Sequence, residues 1–182
     1  MRLAPIFGRT PADRAASDLY LALVEQARQP AFYGPDGVPD TLDARFEMIV
    51  LHAYMVVRRL RDAGEDGAKL AQSLFDQMFA DMDRNLREIG VGDLSVGKQV
   101  KRMAKRFYGS VDAYDRGLGA GDDDALASAL ERNVFGHEAP PTAAARALAR
   151  YLRREIEALA GAGDAELLAG RVRFGPPAEI SA

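Results

Sequence analysis

The stretch TLDARFEMIVLHAYMVVRRLRDA, residues 41–63, carries the apolar pattern from which the fold is predicted. Its apolar residues recur at steps of four and three, which is the spacing of one face of an α-helix. These residues are Leu42, Phe46, Ile49, Ala53, Val56 and Leu60. A second apolar stripe, formed by Met48, Leu51 and Met55, runs beside the first. A helix that is apolar nearly all round must be covered by its neighbours, so we predict that this helix is central.

Helical spacing also predicts one helix before residues 41–63 and four helices after them. The first begins at Thr10, because a threonine can cap a helix and Pro11 loses no needed hydrogen-bond donor at the first helical position. It runs to about residue 28, and Gly64 is placed to end the central helix. Later helices are predicted over 66–89, from a cap at Ser95 to about 118, from a cap at Asp122 to 135, and over 142–160.

The fold class predicted from this spacing is all-α. No stretch alternates polar and apolar residues with the period of a strand, so nothing predicts a sheet. We predict an irregular bundle of about six helices in a single domain over residues 11–170, with a further helical turn at 164–169. An N-terminal tail over 1–10 and a loose C-terminal tail over 171–182 flank this domain.

Composition excludes several classes of function. The chain has 24 basic and 27 acidic residues, a net charge of −3, so no overall field attracts it to nucleic acid, and we expect no DNA partner. It contains no cysteine, which excludes disulfides, thiol nucleophiles and cysteine-ligated metals. The longest apolar run, residues 48–57, has about ten residues, whereas a membrane span needs about twenty. The N-terminus lacks the apolar core of a secretory signal.

Residues 92–99, GDLSVGKQ, meet the spacing G-x-x-x-x-G-K of a phosphate-binding loop. Such a loop needs Ser or Thr after the lysine to hold magnesium, and Gln99 stands there instead. It also needs a strand leading into the glycines, whereas a predicted helix ends near Ile89. We therefore interpret these residues as a glycine-rich connection between two helices.

The sequence offers no convincing constellation for catalysis or metal binding. His52 lies in the most apolar helix and is predicted to be a core histidine, and His137 lies in a loop and is assigned no role. Asp76, Asp81 and Asp83 are predicted to form the solvated polar face of an amphipathic helix. We predict no catalytic residue, no metal site and no cofactor.

Five positive charges fall within nine residues of the predicted fourth helix, with no acidic residue among them. These are Lys98, Lys101, Arg102, Lys105 and Arg106. The opposite side of the helix is apolar and needed for packing, so we expect all five charges to point outward together. Such a face is either simply solvated or is attracted to phosphate, acidic protein or anionic lipid headgroups.

Three segments resemble the ubiquinol-cytochrome c chaperone family. They are LYLALVEQARQPAFY at residues 19–33, LDARFEMIVLHAYMVVRRLRDAG at 42–64 and LFDQMFADMDRNLREIGVGDLSVGKQVKRMAKRFYG at 74–109. The resemblance covers residues 17–118, and its phrases are long and ordered, so it is specific rather than compositional. It also accounts for the spacing that imitates a phosphate-binding loop.

The resemblance implies a non-enzymatic assembly chaperone that binds newly made cytochrome b and assists assembly of the ubiquinol-cytochrome c reductase (bc1) complex. Mitochondrial members work with a small partner and contact the ribosome. We expect no long N-terminal presequence or anchor region here, so the chain resembles the shorter bacterial members, and the resemblance by itself implies neither the small partner nor the ribosome contact for this chain. We expect a cytoplasmic protein, peripheral to the inner membrane, whose basic face meets either the ribosome or an anionic membrane surface.

Five aromatic residues are our candidates for client binding. They are Phe32, Tyr33, Tyr54, Phe79 and Tyr108. Phe32 and Tyr33 are adjacent in a proline-rich loop, residues 29–40, where two aromatics either anchor the loop on the domain's own core or contact a partner. Both interpretations remain open at this point.

Two other functions compete with the chaperone hypothesis. A helical enzyme acting on a lipid or quinone would fit the ubiquinol connection, but the sequence shows no nucleophile or metal constellation for it. A structural adaptor without a client would fit the apolar helices equally well. Purification from the native membrane, with identification of the proteins that accompany the chain, would separate the three.

Overall fold

The structure, a computed structural model, describes residues 10–177, and helices joined by loops make up most of that range. Its helices are α1 (Pro11–Ala27), α2 (Leu42–Arg61), α3 (Gly64–Glu88), α4 (Asp93–Gly119), α5 (Asp123–Leu130), α6 (Ala143–Ala160) and α7 (Asp164–Leu168). A 3-10 turn spans Pro30–Phe32, and a π-helical turn, Glu131–Phe135, continues α5. The described residues contain no strand, only one isolated bridge between Tyr33 and Val38. The all-α prediction is therefore confirmed.

Side-chain caps begin several of these helices where the sequence predicts them. The Thr10 hydroxyl accepts a hydrogen bond from the Asp13 backbone N–H at 3.1 Å, and the Asp13 carboxylate accepts from the Thr10 N–H at 3.0 Å. This reciprocal pair is a capping box, which satisfies two backbone donors at once. Thr41 and Thr142 cap α2 and α6, and Asp122 caps α5 as predicted.

Three predicted boundaries differ from the structure. Gly64 has a φ of +69° and begins α3, since α2 has already ended at Arg61. The fourth helix begins at Asp93, and its cap Gly92 lies three residues before the predicted cap Ser95. The predicted fifth helix changes to π-helical geometry after Leu130.

The predicted central helix is confirmed as the core of the bundle. Its residues Met48, Val50, Leu51, Val56 and Leu60 have no exposed surface. The helices α1, α3, α4 and α6 all pack on α2, so it is covered from every side. Most of the other predicted core residues are buried, but Phe75 is only partly buried because it joins an aromatic cluster at the edge of the core.

A polar centre lies inside this core around His52. The Nδ1 of His52 is 2.7 Å from the Met48 carbonyl, and its Nε2 is 2.9 Å from the Tyr151 hydroxyl. The Phe32 ring packs against both aromatic partners, with centroids 5.6 Å from His52 and 5.1 Å from Tyr151. Burial lowers the pKa of His52 to about 4. The imidazole is therefore neutral near pH 7 and has the structural role that the sequence predicts.

The segment after α7 has no regular secondary structure over residues 171–177, yet it packs on the bundle. The backbone N–H of Gly175 donates to Glu155 Oε2 at 2.8 Å, and its carbonyl accepts from Gln26 Nε2 at 2.8 Å. The Phe174 ring lies 5.2 Å from the His52 ring. This part of the predicted loose tail is thus held at the polar centre, while residues 178–182 and most of the N-terminal tail lie outside the described residues.

Within the described range 10–177, no helix is both long and apolar enough to span a bilayer.

We expect Phe32→Ala to reduce the free energy of unfolding by about 3 to 5 kcal/mol, because it leaves a cavity between His52 and Tyr151. Tyr108→Ala is the matched aromatic control, and its side chain is 59% exposed, so its effect should stay within about 0.5 kcal/mol. Urea denaturation followed by circular dichroism measures both. Equal stability of Phe32→Ala and the wild type would show that this loop does not anchor the core.

Candidate functional site

Most of the aromatic candidates for client binding lie inside the fold. Phe32 and Tyr54 are fully buried, and Phe79 is nearly so. The half-buried Tyr33 donates its hydroxyl to the Ala27 carbonyl at 2.6 Å. These side chains join the domain's own elements, so for Phe32 the structure favours the core anchor over the partner contact.

Tyr54 links α2 to α4 through a carboxylate. Its hydroxyl donates to Asp115 Oδ1 at 2.7 Å, and Arg58 Nη1 donates to the same oxygen at 2.8 Å. Burial, together with the bond to Asp115, raises the pKa of Tyr54 well above its ordinary value. Tyr54 therefore stays a neutral hydrogen-bond donor and offers no surface to a client.

Tyr108 is the aromatic candidate that the structure leaves exposed. Its ring lies at the edge of a cluster, 5.5 Å from the Phe75 ring and 5.6 Å from the Phe107 ring. Phe79 packs deeper in the same cluster, 4.5 Å from Phe75. The cluster supports Tyr108 from below and leaves its outer side available for contact.

Only four of the five cations of the predicted basic face lie together on the outside of α4. Lys98, Lys101, Arg102 and Lys105 lie on the outside of α4 and are exposed. Arg106 differs from the prediction, because its side chain turns toward α2. The reason is a buried carboxylate, Glu47, which lies far away in sequence and could not be matched with Arg106 from spacing alone.

Arg106 is held by two other elements, α2 and the π-helical turn Glu131–Phe135. Its Nε forms an ion pair with Glu47 Oε1, and its Nη1 donates to Asp43 Oδ1 at 2.9 Å. Its Nη2 donates to the carbonyl of Asn133 at 3.3 Å, and the guanidinium lies over the Phe46 ring. Arg106 therefore fastens α4 to the start of α2 and to the turn after α5.

Glu47 is the buried end of this network. The Ser110 hydroxyl donates to Glu47 Oε2 at 3.0 Å, and Asn133 Nδ2 donates to the Ser110 hydroxyl oxygen at 3.3 Å. Burial raises the pKa of Glu47 to about 7, although the Arg106 charge and the Ser110 bond act in the opposite direction. The protonation of Glu47 therefore changes near neutral pH.

A surface groove of about 350 Å³ lies directly beside Arg106, between the start of α2, the end of α3 and α4. Its apolar lining consists of Leu42, Phe46, Leu86, Ile89, Val91 and Met103. Its polar lining consists of Asp43, Gln99, Arg102 and Arg106. We call this the apolar groove. Its size is at the lower end of the range for small-ligand pockets, so it suits a few apolar side chains.

The mouth of the apolar groove carries two apolar residues that face water. Leu42 is 83% exposed and Ile89 is 70% exposed. Adjacent exposed apolar side chains beside a concave apolar surface are typical of an interaction site. Sequence spacing did not reveal this role, because it placed Leu42 on the buried stripe and Ile89 at a helix end. The available signal was that Leu42 is the first residue of its helix and that Ile89 directly precedes Gly90.

A larger cavity of about 540 Å³ lies between α1, α6, α7 and residues 170–173. Small residues and backbone line much of it, and two of its charged groups, Arg171 and Glu166, pair with each other at 2.6 Å. Nearby Arg59 donates to the Leu159 and Ala162 carbonyls. Its two leucines, Leu159 and Leu167, are buried, whereas the apolar groove exposes Leu42 and Ile89, so we regard the apolar groove as the stronger candidate.

The structure offers no support for nucleotide binding at residues 92–99. They form the cap and first turns of α4 and follow the C-terminal end of α3, so no strand leads into them. His137 also has a structural contact, since its Nδ1 is 3.1 Å from Glu131 Oε1. Within residues 10–177, no group of three or more His, Asp or Glu side chains is placed to hold a metal ion.

Comparison with known proteins finds close relatives. The family model described as ubiquinol-cytochrome C chaperone matches residues 36–174, which include the apolar groove and all of α4. The chain is 29% identical over 166 residues to ubiquinol-cytochrome c reductase complex assembly factor 1 of Mus musculus, covering 91% of this chain and 56% of that protein. It is 30% identical over 150 residues to the mitochondrial protein CBP3 of Saccharomyces cerevisiae, covering 80% of this chain and 44% of that protein.

A solved structure is also similar to this chain. The crystal structure of the Cbp3 homolog from Brucella abortus matches with a TM-score of 0.79 and 36% sequence identity, covering 91% of each chain. The present chain spans about half the length of the mouse and yeast relatives. The likeness therefore extends over most of this chain and over only part of those longer proteins.

We expect Glu47→Gln to change how stability depends on pH. The folded protein holds the Glu47 proton up to about pH 7, whereas a glutamate in the unfolded chain releases it near its ordinary pKa of 4.5. The contribution of Glu47 to stability is therefore present at pH 4.5 and is lost as the pH rises through 7. Over that range the variant should gain about 3 kcal/mol relative to the wild type.

Thermal and urea unfolding of both proteins at several pH values between about 4.5 and 8 measures this difference. The result is the change with pH in the difference in stability between variant and wild type. The absolute stabilities are not used, because Gln also weakens the contact with Arg106. Parallel pH profiles would show that Glu47 titrates in the folded protein as it does in the unfolded chain.

Proposed function

Since the chain belongs to the ubiquinol-cytochrome c chaperone family, we propose that it assists assembly of the ubiquinol-cytochrome c reductase complex by holding newly made cytochrome b. The names of its relatives, assembly factors of that complex, support the assembly role. The apolar groove with its exposed Leu42 and Ile89 is the observation that supports client binding.

The client that suits this groove is an apolar segment of a membrane protein before it is packed into its complex. Leu42 and Ile89 already expose apolar surface to water, and covering that surface with apolar side chains of a client would be favourable. Arg102 at the rim, with Lys98, Lys101 and Lys105 nearby, favours a client segment with negative charge beside its apolar residues. Cytochrome b, as an unassembled membrane subunit, is the client we propose.

The proposed activity requires no chemical reaction. His52 and Tyr151 are engaged in the core, and Glu47 is engaged with Arg106 and Ser110. We infer that residues 11–170 act as one chaperone domain and that the protein works at the inner membrane from its cytoplasmic side. Binding and release of the client are then the whole of its function.

We expect the double change Leu42→Asp and Ile89→Asp to reduce recovery of cytochrome b with the protein by at least about tenfold, because it places two charges in the path of an apolar segment. The measurement is affinity purification from native membranes, with the haem b absorbance of assembled complex as a second readout. Both positions are largely exposed, so the helical circular dichroism spectrum and Tm should change little.

The control is Leu21→Asp, which places one negative charge, where the groove variant places two, at an apolar residue of α1 that is 65% exposed. This variant should recover cytochrome b as the wild type does. Full recovery with the groove variant would contradict the proposed site. Normal assembly of the complex in cells without this protein would contradict the proposed function itself.

A further inference from the structure

The outer side of α4 carries a continuous row of exposed side chains. Its members are Leu94, Lys98, Lys101, Lys105 and Tyr108. Their spacing of four, three, four and three residues places them on one side of the helix, in a row about 21 Å long at 1.5 Å per residue. We call this the α4 outer row. Arg102 lies on its flank and also lines the apolar groove.

The cations of the α4 outer row are not neutralised by the protein. Lys98, Lys101 and Lys105 form no ion pair with any residue in the range that the structure describes, and Arg102 bonds only to the uncharged Gln99 at 3.3 Å. Arg87 on α3, by contrast, pairs with Asp83 at 2.6 Å. Other exposed cations without a carboxylate partner among the described residues, such as Arg28, Arg132 and Arg150, stand singly on separate elements. The row thus presents uncompensated positive charge over several helical turns.

The acidic residues at either end of α4 do not interrupt this charge. Asp93 pairs with Arg87 at 2.5 Å on the side of α3. Asp112, the first acid beyond the row on the same side of the helix, pairs with Arg116 at 2.6 Å. Their charges are compensated locally, so they leave the positive charge of the α4 outer row in place.

At each end of the row lies an exposed side chain whose transfer from water to an apolar environment would be favourable. Leu94 is 92% exposed, and Tyr108 is 59% exposed with its ring supported by Phe75. At a bilayer surface, a leucine can insert at the boundary of headgroups and acyl chains, and tyrosine is enriched at that depth. Lysines between them reach the headgroup phosphates while their aliphatic stems cover apolar surface.

We propose that the α4 outer row docks the protein on anionic lipid headgroups of a bilayer, with α4 lying parallel to the surface. Positive charge alone would fit nucleic acid as well, since both present phosphates. Leu94 decides between the two, because an exposed leucine finds an apolar environment in a bilayer and none along a phosphate backbone.

Docking in this orientation places the apolar groove beside the membrane. The groove borders α4 at Gln99, Arg102, Met103 and Arg106, on the flank of the outer row. An apolar segment leaving the bilayer would then reach the groove without crossing open water. This consequence rests on the proposed function, whereas the docking itself does not depend on who the client is.

The test is sedimentation of the full chain with vesicles of phosphatidylglycerol and phosphatidylcholine and with vesicles of phosphatidylcholine alone. The wild type should bind the anionic vesicles and release them as salt rises. Each cation near an anionic surface strengthens binding about fivefold, so the triple change of Lys98, Lys101 and Lys105 to Ala should weaken it about 100-fold. Leu94→Asn should weaken it further without removing its dependence on salt.

The matched control changes Arg28, Arg132 and Arg150 to Ala, since these three cations are exposed on other elements and their loss changes the net charge equally. This control should bind nearly as the wild type does. All changed positions are exposed, so circular dichroism should report unchanged folding. Equal loss in the control would overturn the proposal, because net charge rather than the α4 outer row would then explain binding.

Absence of wild-type binding to anionic vesicles at low salt would also overturn the proposal, and salt-dependent binding to ribosomes in the same assay would then assign the row to nucleic acid. Neither result would touch the chaperone function, which is measured by recovery of cytochrome b. Conversely, the Leu42→Asp and Ile89→Asp variant should lose the client and keep its vesicle binding, so the two proposals fail separately.

Discussion

A neutral histidine at the centre of the bundle, His52, fixes how α1, α2 and α6 meet. The Met48 carbonyl can only accept a hydrogen bond, so the Nδ1 of His52 must donate and its Nε2 must accept. The Tyr151 hydroxyl supplies that donor, and its oxygen accepts in turn from Gln26 Nε2 at 3.0 Å. This series of hydrogen bonds joins α1, α2 and α6. Each bond has only one donor-to-acceptor direction that satisfies every group in the series.

The same centre explains why some elements are covered and others remain open. Helix α2 must be enclosed because it carries His52 among apolar residues, and α1, α3 and α6 meet around it. Helix α4 packs with one side only, through Phe107, Val111 and Tyr114. Its outer side and the ends of α2 and α3 are left at the surface, which is where the apolar groove and the α4 outer row lie.

Glu47 and Arg106 connect this core to the surface that we assign to the client. The carboxylate is buried beside Ser110, while the guanidinium reaches the rim of the apolar groove. Removing either partner would leave the other poorly compensated, so the pair ties the position of α4 to that of α2. A chaperone that holds a client between these helices needs such a fixed relation, because the shape of the groove is set by both.

Local sequence patterns determined most of the fold, and only tertiary contacts decided the site. Helical spacing and caps such as Thr10 and Asp122 act within a few residues, so the helices could be predicted together with the central place of α2. The same spacing cannot tell which side of a peripheral helix a neighbour covers. Phe32 and Tyr108 therefore looked alike as aromatic candidates, although one contacts His52 and the other faces water. Arg106 shares a helix face with Arg102, yet it turns inward because folding brings Glu47 beside it, and that meeting depends on packing between distant parts of the chain.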